Sequence, residues 1–214
     1  MTALLFDLDG TLLDTLEDLL DATNYALKAW GFPERTLEEL RAVVGNGAAN
    51  QIRKSLPEGT PEERVEKVLE TYKPYYTDHC QNKTHAYAGI PEALAALGRK
   101  YPIAIVSNKP DGAVKALCAR YFPGIYALGE RGDCPRKPAP DMVYRGMAAL
   151  GAENCVYIGD SEVDILTAKH AGVPCLSVTW GFRDRDQLAA AGAEVYCHRP
   201  EDLIDRIEEM THGQ

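Results

Sequence analysis

Positive charge is scarce in this chain. Its 214 residues include 23 lysines and arginines against 32 aspartates and glutamates, a formal net charge of −9. That balance argues against nucleic acid or an anionic membrane as the main partner. A small anionic substrate is still admissible, provided that local cations and backbone amides hold it. Organised cysteine is missing too. Cys80, Cys118, Cys134, Cys155, Cys175 and Cys197 form no Cys-x-x-Cys pair, and no Cys/His group has zinc spacing. Several lie in apolar runs, where a free thiol behaves as a small hydrophobe. Reduced core thiols and a cytoplasmic location are the expectation. The first residues carry no basic leader, and Asp7 and Asp9 interrupt their apolar run. Neither a signal peptide nor a membrane span is therefore expected there. Internal repeats and low-complexity segments are absent.

What is present is ordinary in amount and ordered in pattern. Hydrophobic residues make up 45% and charged residues 26%, enough for one large domain or a domain with a smaller companion. Short apolar runs recur at 3–6, 103–106, 125–128, 155–158, 175–178 and 194–197. The first five are nearly continuous, as expected of strands covered on both faces. Helical patterns separate the later runs at 91–100, 113–121, 141–150, 163–171 and 186–191, with Gly151 and Gly172 placed as C-terminal caps. This alternation predicts an α/β fold, a Rossmann-like parallel sheet with helices on both faces. Residues 15–83 break it, offering only helix signals. Thr15 and Thr36 begin TLED and TLEE, which have capping-box character. Thr60-Pro61-Glu62-Glu63 reads as a capping threonine with proline at the first helical position. Pro74 is expected to kink or end that helix. The predicted division is a core of residues 1–14 and 84–214 with an inserted all-helical cap at 15–83.

Four stretches carry chemistry. FDLDGTLLDT (6–15) places Asp7 and Asp9 on one face at the end of the first strand, the end where open α/β sheets bind ligands. Two carboxylates so close repel one another, and burying either is costly. Ser107 and Asn108 end another apolar run, ahead of a helix starting near Asp111, and could receive phosphoryl oxygens. Arg136-Lys137-Pro138-Ala139-Pro140 stiffens a loop so that a cation can be aimed; Lys137 and Arg136 compete for that role. In GDSEVD (159–164), Asp160 ends a further strand, whereas Ser161 and Asp164 also suit a helix start. Together these hard oxygen ligands suit Mg²⁺, which with a lysine would offset the carboxylate repulsion.

DLDGT at 7–11, Ser107, Lys137 and GDSEVD at 159–164 resemble, in order, the four motifs of the haloacid dehalogenase (HAD) superfamily. The resemblance spans the chain, including a helical cap inserted after the first motif. VGNGAANQIRKSL (44–56) and VTWGFR (178–183) are similar to stretches of its phosphoglycolate phosphatase-like members. It implies an Mg²⁺-dependent phosphatase of small phosphorylated metabolites, monomeric or homodimeric. Asp7 would be the nucleophile and Asp9 the general acid and base, kept protonated at first by Asp7 and by burial. Asp7, the Asp9 carbonyl and Asp160 would hold Mg²⁺, with Asp164 behind them. Ser107, Asn108 and Lys137 would hold the phosphoryl group, and a cap loop at Gly45, Asn46 and Gly47 would reach the leaving group. Phosphoglycolate is the leading substrate; pyrophosphate and sugar phosphates remain alternatives. A β-phosphoglucomutase-like mutase shares all four motifs. A non-catalytic phospho-ligand binder is disfavoured because no catalytic position is missing.

Overall fold

The computed structural model describes residues 1–212. The opening apolar run forms β1 (Thr2–Phe6), in which Ala3 to Phe6 are fully buried. After a tight turn comes a two-residue strand, β2 (Leu13–Asp14), and then helices α1 (Leu16–Ala29), α2 (Leu37–Arg41), α3 (Gly47–Ser55) and α4 (Glu62–His79). Strand β3 (His85–Ala86) returns antiparallel to β2, pairing Leu13 with Ala86 and Asp14 with His85, so both passages of the chain share one neck.

From there strands and helices alternate: α5 (Ile90–Leu97), β4 (Ile103–Pro110), α6 (Asp111–Tyr121), β5 (Tyr126–Glu130), α7 (Asp141–Leu150), β6 (Asn154–Gly159), α8 (Glu162–Ala171), β7 (Cys175–Val178), α9 (Arg185–Ala190), β8 (Val195–Cys197) and α10 (Leu203–His212). The main sheet has the order β5-β4-β1-β6-β7-β8, all parallel. Strand order reverses beside β1, the position at which a doubly wound sheet opens a crevice for ligand. Register brings the strand ends together there, with Phe6 opposite Ile105 on one side and Ile158 on the other.

Alternate side chains of each strand feed opposite cores. Leu4, Phe6, Ile105, Ile158 and Leu176 pack with α5, α6 and α10 in a cluster that continues into α1, α3 and α4. Ala3, Leu5, Val106 and Tyr157 pack on the other face, against Met142, Val143 and Ala168 of α7 and α8. Burial on both faces explains why these strands read as unbroken apolar runs. All six cysteines are free, four of them buried. Among the described residues no helix is long and apolar enough to cross a membrane.

Local expectations fared unevenly. Gly151 and Gly172 do end α7 and α8 in the left-handed conformation, and Thr36 makes its capping box with Glu39. Thr15 makes no cap hydrogen bond, because its hydroxyl is committed to Asp9 instead. The Thr60 hydroxyl donates back to the Pro57 carbonyl, and Pro61 is the cap of α4. Pro74 does not end α4, which runs on to His79. Tyr72 and Tyr76 on either side of it are buried, and that packing outweighs the loss of one backbone donor. Strand β4 does not stop at Val106 but continues through Ser107, Asn108 and Lys109, with a shift of register against β5. Gly129 permits it: a Cβ there would lie 2.7 Å from the Lys109 carbonyl.

Candidate active site

Three strand ends and one loop meet at the crevice. Asp7 leaves β1 with its N–H still donating to the Ile158 carbonyl at 2.8 Å. Lys137, from the loop before α7, is fully buried. Its Nζ lies 2.8 Å from Asp7 Oδ1, 2.8 Å from Asp164 Oδ1 and 3.0 Å from Tyr157 Oη. The expected competitor, Arg136, is half-exposed and 3.9 Å from Glu130; Lys137 is the cation at Asp7 and Asp164.

Asp164 has no spare acceptor capacity. Its Oδ1 accepts from Lys137 and Tyr157, and its Oδ2 from the Ser161 N–H at 3.1 Å and the Ser161 hydroxyl at 2.6 Å. Asp160, at the end of β6, accepts from the Phe182 N–H at 2.7 Å and the Thr11 hydroxyl at 3.2 Å, which leaves lone pairs on both oxygens. Oxygens of Asp7, Asp160 and Asp164 lie within 4.8 Å of one another. Three buried carboxylates and one lysine leave two negative charges, a good match in charge and hardness for a divalent cation such as Mg²⁺. Glycine makes the crowding possible. A Cβ on Gly10, whose φ is +82°, would lie 2.3 Å from Asp160 Oδ2, and one on Gly181 would lie 2.3 Å from the Gly10 carbonyl.

The electrostatics follow from burial. Desolvation, reinforced by Asp164, pushes the Asp7 carboxyl well above its ordinary range against the pull of Lys137. Desolvation and Asp164 push Asp160 up to about 7. Burial disfavours the Lys137 ammonium, but Asp164 and Asp7 outweigh it and raise its pKa. A cation among the carboxylates would pull Asp7 and Asp160 back down.

Asp9 is held differently. Its side chain keeps 14% of its exposure and lies 3.0 Å from Lys109 Nζ, so the deep burial expected of it is only partial. The Thr15 hydroxyl donates to the same carboxylate at 2.7 Å. Lys109 is buried and hydrogen-bonded to the Tyr76 hydroxyl of α4. Sequence reasoning gave roles to Ser107 and Asn108 and none to Lys109, although a charge three residues past Val106, at the end of an apolar strand, was a signal.

Asp7, Asp9, Ser107, Asn108 and Lys109 line a cavity of ≈ 30 Å³, closed from the helical side by Leu19, Val44, Gly45, Gly47, Ala48, Gln51, Tyr72 and Tyr76. Gly45 and Gly47 line the cavity, whereas Asn46 is not part of its wall. The side chain of Asn108 is committed within the protein. Its amide exchanges hydrogen bonds with Lys137 (2.8 and 2.9 Å) and donates to the Gly45 carbonyl at 3.3 Å. Its side chain is spent tying the lysine loop to the helical insert. A second tie also went unread. Arg183 donates to the Arg41 and Val44 carbonyls at 2.8 and 2.9 Å and pairs with Glu162.

Comparison with known proteins agrees with this geometry. The family model described as haloacid dehalogenase-like hydrolase matches residues 4–178. A phosphoglycolate phosphatase of Pseudomonas aeruginosa is 31% identical over 94% of this chain and 77% of its own length. An N-acetylmuramic acid 6-phosphate phosphatase of the same organism is 30% identical over 97% of this chain and 95% of its own. Among solved structures, a protein from Lactobacillus delbrueckii subsp. bulgaricus, provisionally named a phosphoglycolate phosphatase, superposes with a TM-score of 0.91 at 38% identity. It covers 96% of this chain and 98% of its own.

Proposed function

The chain belongs to the haloacid dehalogenase-like hydrolase family and is a phosphoric monoester hydrolase, and on that premise we propose that it cleaves small phosphate esters through an aspartyl-phosphate at Asp7. One observation carries the reading: Asp7 and Asp9 open into one small cavity, each with its own buried lysine. In the first step an Asp7 carboxylate oxygen attacks phosphorus. The ester P–O bond breaks, and Asp9 gives its proton to the departing oxygen. In the second step Asp9, now a carboxylate, takes a proton from water as the water oxygen attacks phosphorus and frees Asp7. Splitting the hydrolysis replaces one difficult displacement with two easier ones, and phosphoryl transfer asks mainly for alignment and charge neutralisation.

Lys137 fixes the orientation of Asp7 and, with Ser107, faces the transferring phosphoryl group. Asp7, the Asp9 carbonyl and Asp160 would hold Mg²⁺, which supplies charge neutralisation to the phosphoryl oxygens when bound. Asp164 stands behind them as the acceptor that locks Lys137 and the start of α8, because its oxygens are already saturated. Residues 15–83 act as a lid on the core of 1–14 and 84–214, opening at the β2–β3 neck to admit substrate and excluding water when closed. The small cavity and the relatives named phosphoglycolate phosphatase favour a short leaving group, with phosphoglycolate first, ahead of a sugar phosphate such as the one that the N-acetylmuramic acid 6-phosphate phosphatase is named for. The test is a screen of small phosphate esters with Mg²⁺ and with excess EDTA. Release of phosphate that EDTA abolishes supports the reading. Full activity in EDTA, or no ester cleaved, refutes it.

A further inference from the structure

The mechanism above sets Lys109 beside Asp9 but gives it no step of its own. Burying an ammonium is costly unless its hydrogen-bonding capacity is met. Here Nζ is 3.0 Å from Asp9 Oδ1, donates to the Tyr76 hydroxyl and lies 4.4 Å from the centre of the Tyr76 ring. Two of its three N–H donors are thus engaged, and the third has no partner among the described residues. A purely structural lysine would be walled off, whereas this one lines the cavity together with Gln51, Tyr72 and Tyr76. Lys137, the other buried lysine, lies at Asp7; Lys109 lies at Asp9, on the leaving-group side.

Resting on the phosphatase reading, we propose that Lys109 is the specificity-determining residue, its free N–H taking a second anionic group of the substrate. The distances set the class of substrate. Asp9 must touch the ester oxygen, and Lys109 touches Asp9. The second anion therefore belongs one or two carbons from that oxygen, as in a phosphorylated short hydroxy acid. Tyr76 comes from α4 of the helical insert and Lys109 from the sheet. The anion-reading group is complete only when the two are together, so an anionic leaving group also favours the closed lid.

The experiment compares two esters of equal chain length, 2-phosphoglycolate and ethyl phosphate, and reads the ratio of their kcat/KM values. The wild-type ratio should exceed unity by about 10- to 100-fold, the range of one charge-assisted hydrogen bond. Lys109→Met should collapse the ratio toward unity, whatever loss the two esters share, and Lys109→Arg should restore most of it. A Lys109→Met protein that lowers both esters alike would make Lys109 a mere counter-charge for Asp9 and overturn the proposal. The wild-type ratio decides even if that variant fails to fold, since equal cleavage of both esters overturns the proposal by itself. Cleavage of neither ester would instead strike at the phosphatase reading beneath it.

Discussion

Replacing Lys137 by methionine removes one cation from a site where three donors meet three acceptors. Its Nζ is 2.8 Å from Asp7, 2.8 Å from Asp164 and 3.0 Å from Tyr157, all buried. Methionine fills much of the volume, so lost packing is a minor part of the effect. What is lost is the counter-charge for two buried carboxylates. Breaking a buried pair from one side costs about 3–5 kcal/mol, or about 6–20 °C of Tm in a chain of this size. Turnover should fall by about 10²- to 10³-fold as the aim of Asp7 and the charge facing the phosphoryl group disappear. Thermal unfolding without metal and steady-state phosphate release measure the two effects. The double variant Lys137→Met/Asp164→Asn should recover part of the stability and none of the rate, because it relieves one stranded charge without restoring the cation. Arg136→Ala should change neither much. A Lys137→Met protein losing under about 1 kcal/mol, the range of an exposed pair, would refute the buried-pair argument. A larger rate loss from Arg136→Ala would show that the wrong cation had been assigned.

Gly181→Ala would place a Cβ 2.5 Å from Asp160 Oδ2; it should weaken Mg²⁺ binding measured by calorimetry, and unchanged affinity would remove Asp160 from the metal set. Stability should also depend on pH through Asp160. Its carboxyl titrates near 3.8 when unperturbed and near 7 in the fold, so between those values the native chain binds the extra proton. Without metal its contribution is present at acid pH and lost as pH rises through about 7; Asp160→Asn should gain on wild type over that interval, and Mg²⁺ should remove the gain. A difference that runs the other way would contradict the assignment. Arg183→Ala frees the Arg41 and Val44 carbonyls. Amides near residues 44–47 should then exchange faster with solvent and KM should rise more than kcat falls, whereas unaltered exchange would deny Arg183 its hold on the insert.

The strands were legible because two-sided burial writes itself as unbroken apolar runs, and the ends of those runs located Asp7 and Asp160. Lys137 was legible from the prolines around it. Residues whose partners are distant in sequence were not. Thr15 looks like a helix cap locally, yet its hydroxyl is taken by Asp9, so a tertiary acceptor won over a local one. Asn108 looks like a phosphate ligand or a turn residue, and only the fold shows it bridging Lys137 and Gly45. Strands β2 and β3 are two residues each, too short for any periodicity to register. Pro74 reads as a breaker because sequence shows the lost donor and not the buried tyrosines that hold the helix on both sides.

The central claim is that phosphorus passes through Asp7 before it meets water. The stereochemical course at phosphorus tests this most directly, using a chiral isotopically labelled phosphorothioate ester cleaved in ¹⁸O water. Two successive in-line displacements, first by Asp7 and then by water, predict net retention of configuration. Net inversion would mean that water attacks the ester in a single step, with Asp7 never bonded to phosphorus.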